Sequence, residues 1–361
     1  MPILTGKKGE FRALAGLNQD TLYWLRPLID MPPITLPKPP KAGEKPRGPD
    51  PPEKTLGTLM RLLEDCWGRE RRVIIDLAAY DPYPIGGRHP AEWLFANAHD
   101  AELLLTASLA TDSSDFYRAA VAASEQYLKG LCLRIRVTPK QEPEQTVEAV
   151  RELARAAPST DPAHKIILLD LRRVSEIAEL NDEVVAFAKR HIDALARADY
   201  RVDAVAGTSV PLNSWVKVGQ LHRERRREWR VWEALDAEGG RELAFADYGI
   251  TGPRPDSDEW RGSPAPFLRY TTAAALLVWK GRKPSDDADP DDLQKRPILF
   301  PELCRKLVDG RKQDFRGPKW SAGDRGIWDA AHGTQKPGIA MKWIEFATNH
   351  HLTEVVRLLN P

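Results

Sequence analysis

The sequence predicts a (β/α)₈ barrel over residues 1–250, followed by a C-terminal hairpin and a mainly helical subdomain over residues 251–361. Short β-rich apolar runs recur between helix-like stretches, and a strand followed by a helix, repeated, implies parallel pairing. Eight such units in about 250 residues fit the size of this barrel. The same pattern leaves a doubly wound open sheet as the alternative.

Eight apolar runs are the predicted strands, and aspartate follows four of them. Proline, glycine and polar residues separate the runs from the stretches with helical periodicity. The predicted strands cover residues 2–4, 25–29, 73–75, 118–122, 131–137, 166–169, 202–206 and 243–246.

Amphipathic stretches lie between these runs, with apolar residues at three- and four-residue spacing. They predict helices at residues 55–67, 91–104, 145–156, 176–196 and 215–235. The pattern changes after Gly249. From there the sequence predicts a hairpin at residues 267–280 and helices at residues 300–308, 322–331 and 338–359.

The segment 31–54 holds nine prolines. Proline lacks the amide donor that helices and inner strands need, so the segment is predicted to be an inserted surface loop. Such a loop after the second strand either borders the ligand face of a barrel or is only a solvated insertion.

Composition limits the classes of partner. Lysine and arginine number 53 against 52 aspartate and glutamate, so no overall field would attract nucleic acid or an anionic membrane. The three cysteines lie far apart, which indicates neither a disulfide framework nor a zinc site and favours a reducing compartment. No run is apolar enough to span a bilayer. We therefore expect a cytoplasmic protein that does not bind membranes.

Charged residues at the predicted strand ends are the candidate site. Strand C-termini of a parallel barrel open onto one face, so residues far apart in sequence are expected to converge there. Each aspartate taken alone is more typical of a helix or turn cap, but together with basic residues they predict a polar pocket. The predicted rim residues are Lys7, Glu10, Asp30, Asp76, Arg134, Arg136, Asp170, Ser209 and Asp247.

Three kinds of chemistry stay open for this pocket. Asp30, Asp76 and Asp247 offer oxygen ligands to a magnesium or manganese ion. Carboxylates can act as general acid or base, and Lys7 with an arginine can hold phosphate. An enzyme of this kind would be a metal-dependent phosphodiesterase or nuclease. Its catalytic residues are predicted to be Glu10, Asp76, Asp170, Asp247 and His351, the histidine protonating a leaving group.

An arginine-rich run at residues 221–230 lies inside a predicted helix. Its arginines, with Arg227 as a ligand contact, would either grip a nucleic-acid backbone or form ion pairs three residues apart on a solvated helix. His350 and His351 are adjacent, so on a helix they point about 100° apart and cannot easily share a metal. No P-loop, G-x-G-x-x-G, G-x-S-x-G or H-E-x-x-H motif occurs, which argues against the commonest nucleotide-binding, hydrolase and protease classes.

Short motifs near both ends resemble the phage-type beta protein family. They are the opening PILTGKKGEFRAL with LRPLI at residues 25–29, FADYG at residues 245–249, SAGD at residues 321–324, and Trp343 followed by NHHL at residues 349–352. The proline-rich segment 31–54 departs from the family pattern.

The resemblance implies a bacterial or phage protein without an established reaction, often encoded beside mobile-element and anti-phage defence genes. By position, the matching signature sites are Lys7, Glu10, Asp247, Tyr248, Asp324 and His351. One hypothesis is a defence-associated barrel that binds, and hydrolyses, a phosphate-bearing ligand, nucleotide or nucleic acid. The other is a non-enzymatic module that docks a protein partner from a neighbouring gene.

Overall fold

Two compact units make up the structure, which is a computed structural model and describes residues 1–34, 48–155, 164–239, 242–253, 265–284, 292, 297–334 and 338–360. The first unit combines Met1–Gly6, Arg26–Gly207 and Arg230–Asp247. The second combines Lys7–Leu25, Thr208–Trp229 and Tyr248–Pro361. Strands and helices are numbered below in chain order.

The first unit is built on an eight-stranded sheet in which the strands follow chain order. Every pair for which the register is known is parallel. A parallel bridge joins Pro2 to Asp247, which brings the first and last strands side by side. The sheet therefore curls into a nearly closed barrel, and the predicted (β/α)₈ architecture is confirmed. Its strands are β1 (Ile3–Leu4), β2 (Leu28–Asp30), β3 (Val73–Asp76), β4 (Leu105–Ala110), β5 (Leu131–Arg136), β6 (Lys165–Arg173), β7 (Ala204–Thr208) and β9 (Ala244–Asp247).

Helices alternate with these strands. In the longest of them apolar residues recur at helical spacing, and Val184, Ala188 and Leu195 are buried. The predicted helices after the second, third and fifth strands are confirmed, with ends shifted by a few residues. The helices are α3 (Pro52–Cys66), α4 (Pro90–Asp100), α5 (Asp115–Ala123), α6 (Pro143–Arg155), α7 (Val174–Ile177), α8 (Asn181–Arg197) and α9 (Arg227–Gly239).

The fourth strand was predicted in the wrong place. Residues 118–122 lie in α5, and the strand is β4, thirteen residues earlier. The side chain of Ser114 accepts a hydrogen bond from the Tyr117 N–H, which caps α5, and the alanines that follow favour a helix. β4 is fully buried but contains few β-branched residues, so its sequence resembles the end of a helix.

The second unit packs helices on one face of a three-stranded antiparallel sheet. The sheet order is β10-β11-β8, and Leu277 and Trp279 of the central strand lie in one core with Leu303 and Ile327. The predicted C-terminal hairpin and helices are present. The elements are α1 (Lys8–Ala15), α2 (Gln19–Tyr23), β8 (Leu221–Arg225), β10 (Phe267–Thr271), β11 (Ala275–Lys280), α10 (Phe300–Val308), α11 (Ala322–His332) and α12 (Ala340–Leu359).

Two glycines allow α11 to approach α12 closely. A Cβ atom added to Gly323 would lie 2.2 Å from the Phe346 carbonyl oxygen, and one added to Gly326 would lie 2.3 Å from the Phe346 ring. The Gly323 N–H also donates a hydrogen bond to Asn349 Oδ1 at 2.8 Å. The two helix backbones therefore approach at a distance that leaves no space for a side chain.

The predicted helix at residues 215–235 is a strand and a helix. β8 pairs with β11, and α9 begins only at Arg227. Exposed and half-buried residues alternate along β8, which is the period of a strand and not of a helix. Charged side chains are common on an edge strand, and this explains why the run resembles a solvated helix in sequence.

The two units are made of interleaved segments, whereas the sequence predicted a single boundary at residue 250. Residues 7–25 and 208–229 belong to the second unit, and α1 packs there against α12. Of the predicted insertion 31–54, residues 35–47 lie outside the described residues. Its last residues start α3, where Pro52 occupies the first turn, because a proline there removes no helical hydrogen bond.

Candidate functional site

Aspartates from three barrel strands meet one arginine. Arg134 Nε lies 2.8 Å from Asp170 Oδ2, and Arg134 Nη1 lies 3.1 Å from Asp30 Oδ2 and 3.2 Å from Asp76 Oδ2. Asp30 and Asp76 are the last residues of β2 and β3. The structure thus brings together four residues that were predicted to converge because their strands run in the same direction.

The cluster is buried, so its charged groups must be satisfied by one another and by the backbone. Arg134 is only 1% exposed, and Asp76 and Asp170 are equally buried. A buried guanidinium needs carboxylate partners, and its planar fork can serve several of them at once. Backbone N–H groups hold the acids in place, because Ala78 N donates to Asp76 Oδ1 at 3.1 Å and Arg172 N donates to Asp170 Oδ1 at 2.9 Å.

Arg136 forms the more accessible part of the cluster. It follows Arg134 by two residues in β5, so both side chains lie on the same side of the strand. Its Nη2 lies 3.6 Å from Asp76 Oδ2, while its Nη1 donates to both carboxylate oxygens of Asp112, at 2.6 and 2.7 Å. The Asp112 side chain is 61% exposed and that of Arg136 is 20% exposed. The pair therefore borders solvent.

The cluster carries an excess of negative charge. Asp30, Asp76, Asp112 and Asp170 contribute four formal negative charges and the two arginines contribute two positive ones, a net of minus two when all are ionised. Burial, and then the charge of Asp30, raises the pKa of Asp76 against the opposing effect of the arginines. Asp76 is therefore a group of the cluster that holds a proton more readily than an ordinary aspartate.

Asp112 was missed in the sequence. It lies two residues after β4, and β4 was predicted thirteen residues too late. A correct fourth strand would have pointed to Asp112 by the same argument that selected the other strand-end aspartates.

Asp247 ends β9, the last strand of the barrel, but its surroundings differ from those of the cluster. Phe245, two residues earlier and so on the same side of the strand, packs its ring 5.5 Å from Trp232 of α9. The Asp247 side chain therefore leaves the sheet on the side that faces a helix. The buried amine of Met1 lies near it; burial lowers the pKa of that amine to about 6, and Asp247 partly opposes the shift.

The remaining predicted site residues, which include rim, ligand-binding and catalytic candidates, belong to the second unit. Glu10 is buried and accepts a hydrogen bond from the Lys7 N–H at 3.0 Å, so it helps to cap α1. Ser209 Oγ accepts from the Arg227 N–H at 3.0 Å. These contacts show local structural roles. The residues are Lys7, Glu10, Ser209, Arg227, Tyr248 and His351.

A second buried network lies inside the second unit and uses His350. His350 Nδ1 lies 2.8 Å from Asp324 Oδ2, and His350 Nε2 lies 2.7 Å from the Thr271 carbonyl oxygen. Both partners are acceptors, so both ring nitrogens carry a proton. His351 contacts a different group, Thr271 Oγ1, at 2.8 Å. Asp324 lies in one of the motifs on which the resemblance rests, and it pairs with His350 and not with the predicted His351.

This network predicts a pH-dependent stability. Burial opposes a charged ring, but Asp324, the Thr271 carbonyl and Glu354 outweigh it and raise the pKa of His350. A group whose pKa is raised by folding stabilises the fold fully below its unfolded pKa, about 6.5, and this stabilisation is lost as the pH rises through the folded pKa. We expect the free energy of unfolding, measured with urea, to fall as the pH rises above about 6.5.

His350→Gln should remove most of this slope, because glutamine does not titrate. His332→Gln changes an exposed histidine and should keep the slope. An unchanged slope in His350→Gln would contradict the assignment of the charged ring.

Neither a metal-binding cluster nor a membrane-spanning helix is present among the residues that the structure describes. No group of three or more histidine, cysteine, aspartate or glutamate side chains there is arranged to hold a metal ion. Of the three predicted metal ligands, Asp30 and Asp76 each place one carboxylate oxygen on the guanidinium of Arg134. No helix in the described ranges is long and apolar enough to cross a membrane.

Comparison with known families gives one match over nearly the whole chain. The family model described as Beta protein matches residues 1–357. No curated protein matches the chain.

Proposed function

The chain belongs to the Beta protein family, and we propose that its barrel binds the phosphate group of a nucleotide or nucleic acid at Arg136, as a component of a bacterial anti-phage defence or mobile-element system. The observation that carries the proposal is the Arg136–Asp112 pair at the solvent border of a buried carboxylate–arginine network.

Arg136 is suited to an exchange of partners. Its Nη1 is held by Asp112, whose largely exposed side chain can turn into water at little cost. A phosphate can then take the place of that carboxylate with charge-assisted hydrogen bonds of the same geometry. Arg134 is not suited to such an exchange, because its carboxylate partners are buried and cannot turn into water.

Asp76 supplies the proton chemistry in this proposal. It lies 3.6 Å from Arg136 Nη2, and its raised pKa favours the protonated acid beside an incoming anion. Protonation of Asp76 reduces the net negative charge that opposes phosphate. A protonated carboxyl group next to a bound phosphate can also act as general acid toward a leaving oxygen. Hydrolysis is thus assigned to attack of water on the phosphorus while protonated Asp76 gives its proton to the leaving oxygen, so Asp76 acts as an acid and not as a metal ligand.

Two matched variants are expected to change phosphate binding in opposite directions. Asp112→Asn keeps the shape of the competing side chain but removes its charge, so the affinity for inorganic pyrophosphate should rise about tenfold. Arg136→Gln removes the guanidinium and should abolish binding. Isothermal titration with pyrophosphate, and with a short single-stranded DNA, measures both.

The dependence of phosphate affinity on pH tests the role of Asp76 in the same experiment. Wild-type affinity should increase as the pH falls through the pKa of Asp76, and Asp76→Asn should bind with little dependence on pH in that range. Equal affinities for Asp112→Asn, Arg136→Gln and the wild type would refute the proposal.

The alternative function, a non-enzymatic module that docks a protein partner, is favoured by one separate observation in the second unit. Within the described ranges of that unit, the outer side of β8 has no strand partner.

A further inference from the structure

One side of β8 has no strand partner among the described residues. β8 lies at the end of its sheet, and in the part of the chain that the structure describes it pairs with β11 alone. Arg226 follows the last residue of β8, and its N–H donates to the Ala274 carbonyl oxygen at 3.3 Å. Arg226 and Ala274 are therefore a hydrogen-bonded pair of the antiparallel ladder, and in β8 the even-numbered residues are the ones that bond to β11. Because such pairs alternate, the backbone N–H and C=O groups of the odd-numbered residues, Leu221, Arg223 and Arg225, point away from β11.

Arginine side chains accompany these outward backbone groups. Arg223 and Arg225 leave the same face of the strand, about 7 Å apart, and both are exposed. Arg223 has only a distant ion pair, 4.0 Å from Asp314 Oδ1, and its side chain is 48% exposed. In the described part of the chain the structure gives no ion pair for Arg225. The edge therefore presents backbone donors and acceptors beside two weakly paired positive charges.

We infer that β8 binds an extended acidic segment of a partner protein by strand addition, with carboxylates at every second residue facing Arg223 and Arg225. Backbone pairing would supply affinity, and the alternate side chains would supply selectivity. This inference concerns the second unit and does not depend on phosphate binding at Arg136.

Charge distinguishes this occupant from the other candidates. A second copy of β8 would place arginines opposite arginines, which disfavours pairing between two copies. A nucleic acid could satisfy the arginines, but it has no strand backbone to pair with Leu221, Arg223 and Arg225. The five-residue length of β8 fits a short linear segment.

The test is fluorescence anisotropy of the full chain with a labelled hexapeptide that alternates glutamate and valine. We expect saturable binding that Arg223→Glu and Arg225→Glu each weaken by at least about tenfold. Arg151→Glu changes an exposed arginine of α6 and should bind like the wild type. The same peptide with lysine in place of glutamate should not bind.

A backbone-blocked peptide separates strand addition from simple attraction of charges. N-methylation of alternate residues keeps every carboxylate but removes the hydrogen bonds of a strand, so it should abolish binding. Equal binding of the N-methylated peptide, or displacement of the hexapeptide by single-stranded DNA, would overturn the inference. So would concentration-dependent dimers that Arg225→Glu disrupts.

Discussion

Replacing Arg134 by alanine is expected to lower the free energy of unfolding by about 3–5 kcal/mol. The guanidinium pairs with Asp30, Asp76 and Asp170, and removing it would leave these carboxylates close together without their shared cation. The cost comes mainly from uncompensated buried charge and only partly from lost contacts. Urea denaturation followed by circular dichroism measures it.

Arg136→Ala is the matched control two residues along the same strand. Its closest partner, Asp112, is largely exposed, and its contacts with the buried carboxylates are longer, 3.6 Å to Asp76 and 3.8 Å to Asp30, so this variant should lose clearly less, about 1–2 kcal/mol. The deficit of Arg134→Ala should also shrink from pH 8 to pH 5. Without the arginine the aspartates acquire raised pKa values, and their cost is relieved once they are protonated. A deficit no larger than that of Arg136→Ala would show that the network does not support the barrel.

Replacing Gly323 by alanine is expected to cost at least about 2 kcal/mol. The added methyl group would lie 2.2 Å from the Phe346 carbonyl oxygen and 2.9 Å from the His350 backbone nitrogen. Both obstacles are backbone atoms, so α11 and α12 would have to separate. Separation would weaken the pairing of His350 with Asp324, and the unfolding transition measured by calorimetry should shift to lower temperature.

Gly57→Ala provides the control with the opposite sign. Gly57 lies inside α3, and an added Cβ meets nothing within 4 Å. Alanine is a better helix former than glycine, so this variant should gain up to about 1 kcal/mol. If Gly323→Ala were as stable as Gly57→Ala, the close approach of α11 and α12 would be wrong.

The barrel and the centre of its charged cluster were predictable from sequence for one shared reason. Parallel strands bring their carboxyl ends to one face, so Asp30, Asp76 and Asp170 could be grouped without knowledge of any contact. The dominance of Arg134 could not be foreseen, because a sequence does not show which cation lies in the middle of a ring of acids.

Other features depend on pairing that no local pattern encodes. Whether residues 221–225 form a helix or a strand was decided by the open side of β11, about fifty residues later. Which of the two adjacent histidines pairs with a carboxylate depends on the position of Asp324 on a neighbouring helix, and this histidine is His350. Asp112 could not be identified from the sequence, because it follows the fourth strand and that strand was predicted in the wrong place.

The division of the chain into interleaved segments has a consequence for its synthesis. The second unit needs residues 7–25 together with residues up to the end of α12, which are synthesised more than three hundred residues later. The Asn349 side chain donates to the Ala13 carbonyl oxygen at 2.9 Å across that span. The apolar face of α1 must therefore stay exposed, or be held by a chaperone, until α12 has been synthesised. A fragment truncated near residue 250 would never bury it, so the C-terminal part cannot be removed as a separate domain.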